Sequence, residues 1–79
     1  MYTVYVLKSS DGRLYKGLTN NIQRRIYEHK SGKTRTTARM KGLNLVYSEQ
    51  YDSFNEARKR ELYFKTAAGR KFIKKKLGP

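Results

Sequence analysis

The sequence predicts an α+β domain with a small three-stranded antiparallel sheet flanked by helices, in the element order ββαβαα. Two segments rich in β-branched and aromatic residues, Tyr2–Lys8 and residues 13–18, flank residues 9–12, which end in Asp-Gly and have the composition of a tight turn. Further along the chain, helix-capping residues precede amphipathic segments. These observations predict a β-hairpin followed by helices.

The remaining elements follow in order. Both faces of Tyr2–Lys8 are largely apolar, which is typical of a strand covered on two sides. Capping residues at 19–21 predict a helix over Ile22–Lys30 that ends at Ser-Gly. Residues 43–51 form the third predicted strand. A capping box at residues 53–56 starts a helix over 54–66, a break is expected at residues 67–69, and residues 70–77 form a last short helix.

Length and charge restrict the function. The 79 residues are expected to form one domain, 1–79, with a small core. Nineteen Lys and Arg oppose six Asp and Glu, so the net charge is +13. Such self-repulsion destabilises a compact state and favours a polyanionic partner, and nucleic acid is the predicted one. A solvated basic surface and an anionic membrane are the alternatives.

Composition also restricts the metals and the compartment. The chain has no cysteine and a single histidine, which excludes disulfides and a multi-histidine zinc site. A metal would therefore be a hard cation on oxygen ligands, Mg²⁺ or Mn²⁺. No segment has the length of a membrane span or the pattern of a signal peptide. The cytoplasm is the expected compartment.

Helical periodicity selects two candidate site residues. In the first helix, Ile22 and Ile26 define the inward stripe, Arg25 lies at its edge facing the hairpin, and Arg24 points away. In the second helix the predicted core stripe contains Phe54, Ala57, Leu62 and Phe64, with Glu61 in its middle. The other five acids occupy ordinary positions in turns, on strands, at a helix start or, for Glu28, on the outer face of the first helix. Glu61 could also pair with Arg58 or Lys65 at helical spacing.

Two further features concern the hairpin and the loop after the first helix. Gly17 shares a strand face with Tyr15 and marks either a bulge or a close approach to the backbone. The loop at residues 30–42 contains five basic residues and no acid, so it is either a phosphate-contacting segment or a solvated connection. The predicted nucleic-acid contacts are Lys16, Lys30, Lys33, Arg35, Arg39, Lys41 and Arg70.

Together these segments resemble the GIY-YIG domain in its small stand-alone bacterial form. The resemblance rests on Thr-Val-Tyr at 3–5, Tyr-Lys-Gly at 15–17, the segment 21–29 that contains Arg25 and His29, Arg-Glu at 60–61 and the segment 65–70. It implies metal-dependent cleavage of DNA in repair or related processing. It further implies paired tyrosines Tyr5 and Tyr15, a phosphate-binding Arg25, an auxiliary His29, and Glu61 as ligand of Mg²⁺ or Mn²⁺.

The sequence does not decide which residue is the general base that activates water. Tyr5 is favoured for this role, with help from Tyr15 or His29. A free tyrosine has a pKa of about 10. Positive charge near the site would lower that pKa and burial would raise it.

The sequence departs from the family pattern at Thr3-Val4, at Lys16 and at Asn20, and it has no asparagine after Asn55. Besides an endonuclease, a non-catalytic nucleic-acid-binding module is therefore an alternative, and an RNA-associated protein is a third.

Overall fold

A computed structural model describes residues 1–35 and 37–78. The chain forms strands β1 (Tyr2–Lys8) and β2 (Leu14–Thr19), helix α1 (Ile22–Lys30), strand β3 (Asn44–Tyr51), and helices α2 (Phe54–Phe64) and α3 (Ala67–Leu77). The sheet order is β2-β1-β3, and both pairings are antiparallel. The predicted fold class and element order are confirmed.

Strand β1 is the centre of the molecule and is covered on both faces, as its sequence predicts. Val4 and Val6 lie on one face of the sheet and pack with Ala57, Phe64 and Ile73 of α2 and α3. The second cluster consists of Tyr5, Leu7 and Leu43, with Tyr15 and residues of α1 packed against it. Helix α1 therefore lies on one face of the sheet, and α2 and α3 lie on the other.

Side chains cap all three helices. Asn21 Oδ1 accepts from the Arg24 amide at 3.1 Å, Ser53 Oγ from the Glu56 amide at 3.2 Å, and Thr66 Oγ1 from the Gly69 amide at 3.1 Å. Each bond satisfies a backbone donor that the first turn leaves free. The start of each helix is thus fixed by a local signal in the sequence.

The boundary between α2 and α3 differs from the expected one. Residues 67–69 were expected to break the helix, but they form the first turn of α3, and the break lies at Lys65–Thr66. A Cβ at Gly69 would lie 1.9 Å from the Tyr63 carbonyl oxygen. The small residues therefore allow the two helices to approach each other closely at this corner, with Thr66 as the cap that starts the new helix.

Two members of the predicted α2 core stripe are not in the core. Ala57 and Phe64 are fully buried, whereas Phe54 and Leu62 are 45% and 49% exposed. At 3.6 residues per turn, Ala57 and Phe64 are only about 20° apart around the helix axis, and Leu62 lies on nearly the opposite side. The buried face is therefore narrower than predicted, and Glu61 lies at its edge rather than in its middle.

Candidate active site

The ring of Tyr5 packs on the backbone of Gly17, its register partner on β2. A Cβ at position 17 would lie 2.4 Å from both Cζ and the hydroxyl oxygen of Tyr5. The glycine is therefore required by a close approach, not by a bulge, which decides between the two interpretations of its sequence position. The contact fixes the Tyr5 hydroxyl above β2, facing α1.

His29 of α1 is bonded at both ring nitrogens. Its Nε2 lies 2.9 Å from the Tyr5 hydroxyl, and its Nδ1 lies 2.7 Å from Thr37 Oγ1 and 2.9 Å from Thr34 Oγ1. The two threonine hydroxyls are 2.5 Å apart. His29 and Thr37 are buried. A hydrogen-bonded chain thus connects the loop after α1 to the tyrosine on β1.

Hydroxyl groups bond to both ring nitrogens of His29, so either nitrogen can carry the ring hydrogen. With the hydrogen on Nδ1, the ring donates to a threonine hydroxyl and Nε2 accepts from the Tyr5 hydroxyl. Arg25, one turn earlier on the same helix, lies beside Tyr5. The structure thus brings Tyr5, Arg25 and His29 together.

Burial raises the pKa of Tyr5 to about 12, more than the neighbouring Arg25 lowers it. Burial also lowers the pKa of the His29 imidazole below its usual 6.5, and the positive charge of Arg25 lowers it further. Near neutrality Tyr5 is therefore a phenol and His29 a neutral imidazole. The shift that a free phenolate base would need does not occur, but a neutral imidazole can accept the phenol's proton.

Tyr15 completes the aromatic part of the site. Its ring centroid is 6.3 Å from that of Tyr5 and 4.9 Å from that of His29. Unlike Tyr5, which is 1% exposed, Tyr15 is only half-buried. Of the two predicted tyrosines, Tyr15 is thus the one with greater access to solvent.

Arg25 and Arg24 differ as the helical wheel predicts. The Arg25 side chain is the less exposed and contacts Tyr5, whereas the Arg24 side chain is 75% exposed. Glu28 was expected on the outer face of α1 but pairs with both arginines, at 3.1 Å to Arg25 Nη1 and 3.3 Å to Arg24 Nε. Glu28 thus has a role that its predicted outer-face position did not indicate, because its side chain turns toward the arginines on its own helix.

Arg25 and Glu61 line one cleft between α1 and α2, of about 640 Å³, which we call the α1–α2 cleft. The side chain of Glu61 is 14% exposed, and Lys65 Nζ lies 3.4 Å from its Oε2. This pairing at helical spacing was one of the sequence alternatives. Because the Lys65 side chain is itself half-exposed, the contact is weak and leaves Glu61 free to accept another cation.

A separate ion pair sets the orientation of α2. Arg60 donates to Glu49 of β3 from Nε at 2.8 Å and from Nη2 at 3.1 Å. Its guanidinium lies 4.6 Å from the Phe72 ring centroid. Glu49 also accepts from Tyr51 at 2.6 Å. Because Arg60 is anchored on β3, the next residue, Glu61, is turned by about 100° around the helix axis, onto the side that lines the α1–α2 cleft.

The donor set fits a magnesium-type cation only in part. Within the described residues, no group of three or more His, Cys, Asp or Glu could hold a metal ion. Mg²⁺, however, commonly binds through one or two carboxylates and completes its shell with water and substrate phosphate oxygens. A single cleft-lining carboxylate, Glu61, is therefore compatible with a metal that binds together with a phosphate.

The predicted nucleic-acid contacts fall in two places. Lys16 lies on the sheet face that packs against α2 and α3, where burial lowers its pKa and the nearby charges of Arg70 and Lys65 lower it further. The other predicted residues belong to α1 and the following loop. These five residues are all exposed, namely Lys30, Lys33, Arg35, Arg39 and Lys41. The two groups are therefore on opposite sides of the sheet.

Sequence reasoning missed three participants. Thr34 and Thr37 lie in the loop at residues 30–42, whose composition predicts phosphate contacts but no bond to His29. Glu28 is predicted on the outer face of the first helix, which indicates no role in the site. A threonine-rich stretch following a histidine was the available signal for the His29 contacts, but nothing local indicates which hydroxyl reaches the ring.

The structure is a small α+β domain in which Arg25 and Glu61 line one cleft, and Tyr5, Tyr15 and His29 cluster beside Arg25. A family model described as the GIY-YIG catalytic domain matches residues 1–76, and the chain belongs to this family of nucleases. None of the described helices has the length and apolarity needed to cross a membrane.

Relatives are similar over most of the chain. A UPF0213 protein of Staphylococcus saprophyticus is 38% identical over 90% of this chain and 88% of its own length. One of Clostridium perfringens is 42% identical over 82% of this chain and 71% of its own. The solution NMR structure of a UPF0213 protein from Bacillus halodurans is 32% identical, with a TM-score of 0.57, over 92% of this chain and 82% of that one.

Proposed function

We propose that this protein is a divalent-metal-dependent endonuclease that hydrolyses phosphodiester bonds in DNA. The observation that carries the proposal is the shared α1–α2 cleft, in which the Glu61 carboxylate and the Arg25 guanidinium line the same surface. Arg25 in turn contacts Tyr5, which contacts His29. A phosphate held at Arg25 is therefore next to a group that can accept a proton.

Arg25 would bind the scissile phosphate. A guanidinium presents a planar set of donors that matches two phosphate oxygens, and it stabilises the charge that develops on them. Glu28 holds Arg25 through one nitrogen at 3.1 Å. Because this pair is partly exposed, a dianionic transition state competes with Glu28 for the guanidinium.

Tyr5 and His29 would activate water by passing on one proton. The Tyr5 oxygen accepts a proton from the attacking water while its own hydrogen moves to Nε2 of His29. The water oxygen forms a bond to phosphorus, and the bond to the leaving oxygen breaks. No phenolate accumulates, which is consistent with the pKa of Tyr5 near 12. The other ring hydrogen would be on Nδ1, from which it is donated to Thr37 or Thr34.

Mg²⁺ or Mn²⁺ would be held by Glu61 and by substrate oxygens, and when bound it supplies Lewis acidity toward the phosphate and the leaving group. Glu61 would hold this charge in the α1–α2 cleft, which the Arg25 guanidinium also lines. Its bridge to Lys65 would open on binding.

A nicking assay tests the proposal. Supercoiled plasmid, branched DNA and structured RNA are incubated with wild-type protein and Mg²⁺ or Mn²⁺, and with the variants Glu61→Gln and Glu56→Gln. Glu56 is an exposed acid on the same helix, and glutamine preserves its capping box. We expect DNA cleavage by wild type and Glu56→Gln, and a loss of roughly 100-fold or more in Glu61→Gln. Equal activity of the two variants would refute the role of Glu61, and preferential cleavage of RNA would refute DNA as the substrate.

A binding module without catalysis is the second candidate. It is favoured by the engagement of both cleft groups in the free protein, Arg25 with Glu28 and Glu61 with Lys65. If wild type cuts no substrate but binds DNA with an affinity that falls steeply with salt, this candidate replaces the endonuclease.

A further inference from the structure

Two aromatic rings line the α1–α2 cleft without a role in the proposed chemistry. Phe54, the first residue of α2, is 45% exposed, and Tyr2 at the start of β1 is half-buried. Their ring centroids are 5.6 Å apart at an interplanar angle of 73°. Both rings line the same cleft as Arg25 and Glu61. A paired apolar surface inside a charged groove calls for a ligand that is itself both planar and charged.

The surroundings of the rings are polar and cationic. Exposed Arg24 and Arg58 line the cleft on α1 and α2, and two residues with amide side chains, Asn20 and Asn21, line it at the β2–α1 turn. Cations, amides and an aromatic surface together match a nucleotide, whose phosphate, base edges and base plane need these three kinds of partner. The cleft volume of about 640 Å³ is within the range of small-molecule sites.

Base pairing decides which nucleic acids can use such a surface. In an intact duplex each base is covered on both sides by its neighbours, so neither plane is available to a protein ring. In a single strand, a flap or a loop, an unstacked base can lie on an aromatic side chain whatever its sequence. An aromatic pair in the cleft therefore favours substrates that are unpaired beside the phosphate bound at Arg25.

We propose that Phe54, supported by the ring of Tyr2 that meets it at 73°, forms a base-stacking platform, which makes the α1–α2 cleft selective for nucleic acid with unpaired bases next to the scissile phosphate. This inference rests on the proposed function for the position of the phosphate, and it adds the substrate class. Arg58 and Arg24 contact the phosphates on either side of the stacked base.

Binding without cleavage tests the platform separately from catalysis. An end-labelled oligothymidylate and a hairpin of equal charge, fully paired and closed by a polyethylene-glycol linker in place of loop nucleotides, are titrated with protein in EDTA, and fluorescence anisotropy gives the ratio of the two dissociation constants. The variants are Phe54→Ala, Phe54→Leu and the control Leu62→Ala. Leu62 is an apolar residue on the same helix with similar exposure, 49%, and it does not line the cleft.

We expect wild type and Leu62→Ala to bind the single strand more tightly than the hairpin. Phe54→Ala should lose about 5- to 150-fold of single-strand affinity, the range found for one base stacked on an aromatic ring, and little hairpin affinity. Phe54→Leu keeps an apolar side chain without a π-face, so its affinity for the single strand should lie between those of wild type and Phe54→Ala. Equal binding of the two nucleic acids by wild type, or equal losses in Phe54→Ala and Leu62→Ala, would overturn the platform.

Chemical shifts of the wild-type protein give a readout that needs no variant. Stacking on a base should move the ring protons of Phe54 upfield when oligothymidylate is added, and should leave those of Phe72 of α3, which packs against Tyr63 and Phe64 of α2, unchanged. Unchanged shifts of Phe54 at saturation would overturn the inference. Because EDTA is present throughout, a failed nicking assay and a failed platform are distinguishable results.

Discussion

Replacing Thr37 by valine isolates the hydrogen bond behind the proposed proton acceptor. Thr37 is fully buried, and its hydroxyl lies 2.7 Å from Nδ1 of His29. Valine preserves the shape of the side chain and removes only the hydroxyl. Thr34 Oγ1, 2.9 Å from the same nitrogen, remains as a substitute acceptor. The loss should therefore be at the low end for a buried polar group, about 1 kcal/mol.

This magnitude gives a thermal and a kinetic expectation. For a domain of this size, 1 kcal/mol lowers the melting temperature by about 4–8 °C. Without the Thr37 hydroxyl, the ring hydrogen on Nδ1 has one acceptor fewer, so a larger fraction of His29 carries its hydrogen on Nε2. That tautomer cannot accept the Tyr5 proton, which lowers the rate. If the same loss of about 1 kcal/mol falls on this orientation, kcat falls about fivefold, with the affinity for DNA unchanged.

The assay compares kcat, KM and the pH profile of Thr37→Val and Thr37→Ser in metal-dependent cleavage. Serine restores the hydroxyl and lacks only a methyl group, so we expect it to recover most of kcat even if its stability is reduced. A valine variant with wild-type kcat, or a serine variant as slow as valine, would refute the link from Thr37 through His29 to Tyr5.

Three further perturbations follow from the same geometry. The folded-state pKa of His29 lies below its unfolded value of 6.5, so the unfolded chain binds the proton first on acidification, and wild type should lose stability as the pH falls from 7 to 5. The chain has no other histidine, so His29→Gln should lose less stability over the same range in a denaturant titration. Equal losses in the two proteins would contradict the shift. Gly17→Ala puts a Cβ 2.4 Å from the Tyr5 ring tip and should cost about 1–3 kcal/mol, measured as the unfolding midpoint, with an unchanged midpoint as the contrary result. Glu28→Gln removes the carboxylate that holds Arg25 at 3.1 Å and should tighten DNA binding in EDTA, whereas weaker binding would mean that Glu28 orients Arg25 for the phosphate.

The features predictable from the sequence are those with a local signal. Capping residues fix the helix starts, and strand alternation places Tyr15 and Gly17 on one face of β2, to which the register of the hairpin then adds Tyr5. A helical wheel separates Arg25 from Arg24, because one turn of α1 suffices to decide which of them faces the sheet. The family resemblance then assigns roles that spacing alone leaves open.

The errors concern contacts that depend on how elements pack. Phe54 looks like a core residue by composition, yet the face of α2 that meets the sheet is centred on Ala57 and Phe64. Thr37 reaches His29 only after the loop folds back over α1, and no periodicity describes a loop. The pKa of Tyr5 depends on how far burial raises it and how far Arg25 lowers it. Both effects depend on the tertiary structure, so neither can be read from the sequence.

The central claim is that the Glu61 carboxylate and the Arg25 guanidinium act across one cleft on the same phosphate. The most direct test is single-turnover cleavage of a DNA substrate by wild type, Glu61→Gln and the control Glu56→Gln over a titration of Mn²⁺. We expect wild type and Glu56→Gln to cleave with the same metal dependence, and Glu61→Gln to bind DNA but to lose roughly 100-fold or more in rate. Glu61→Gln cleaving at the wild-type rate and metal midpoint would contradict the account.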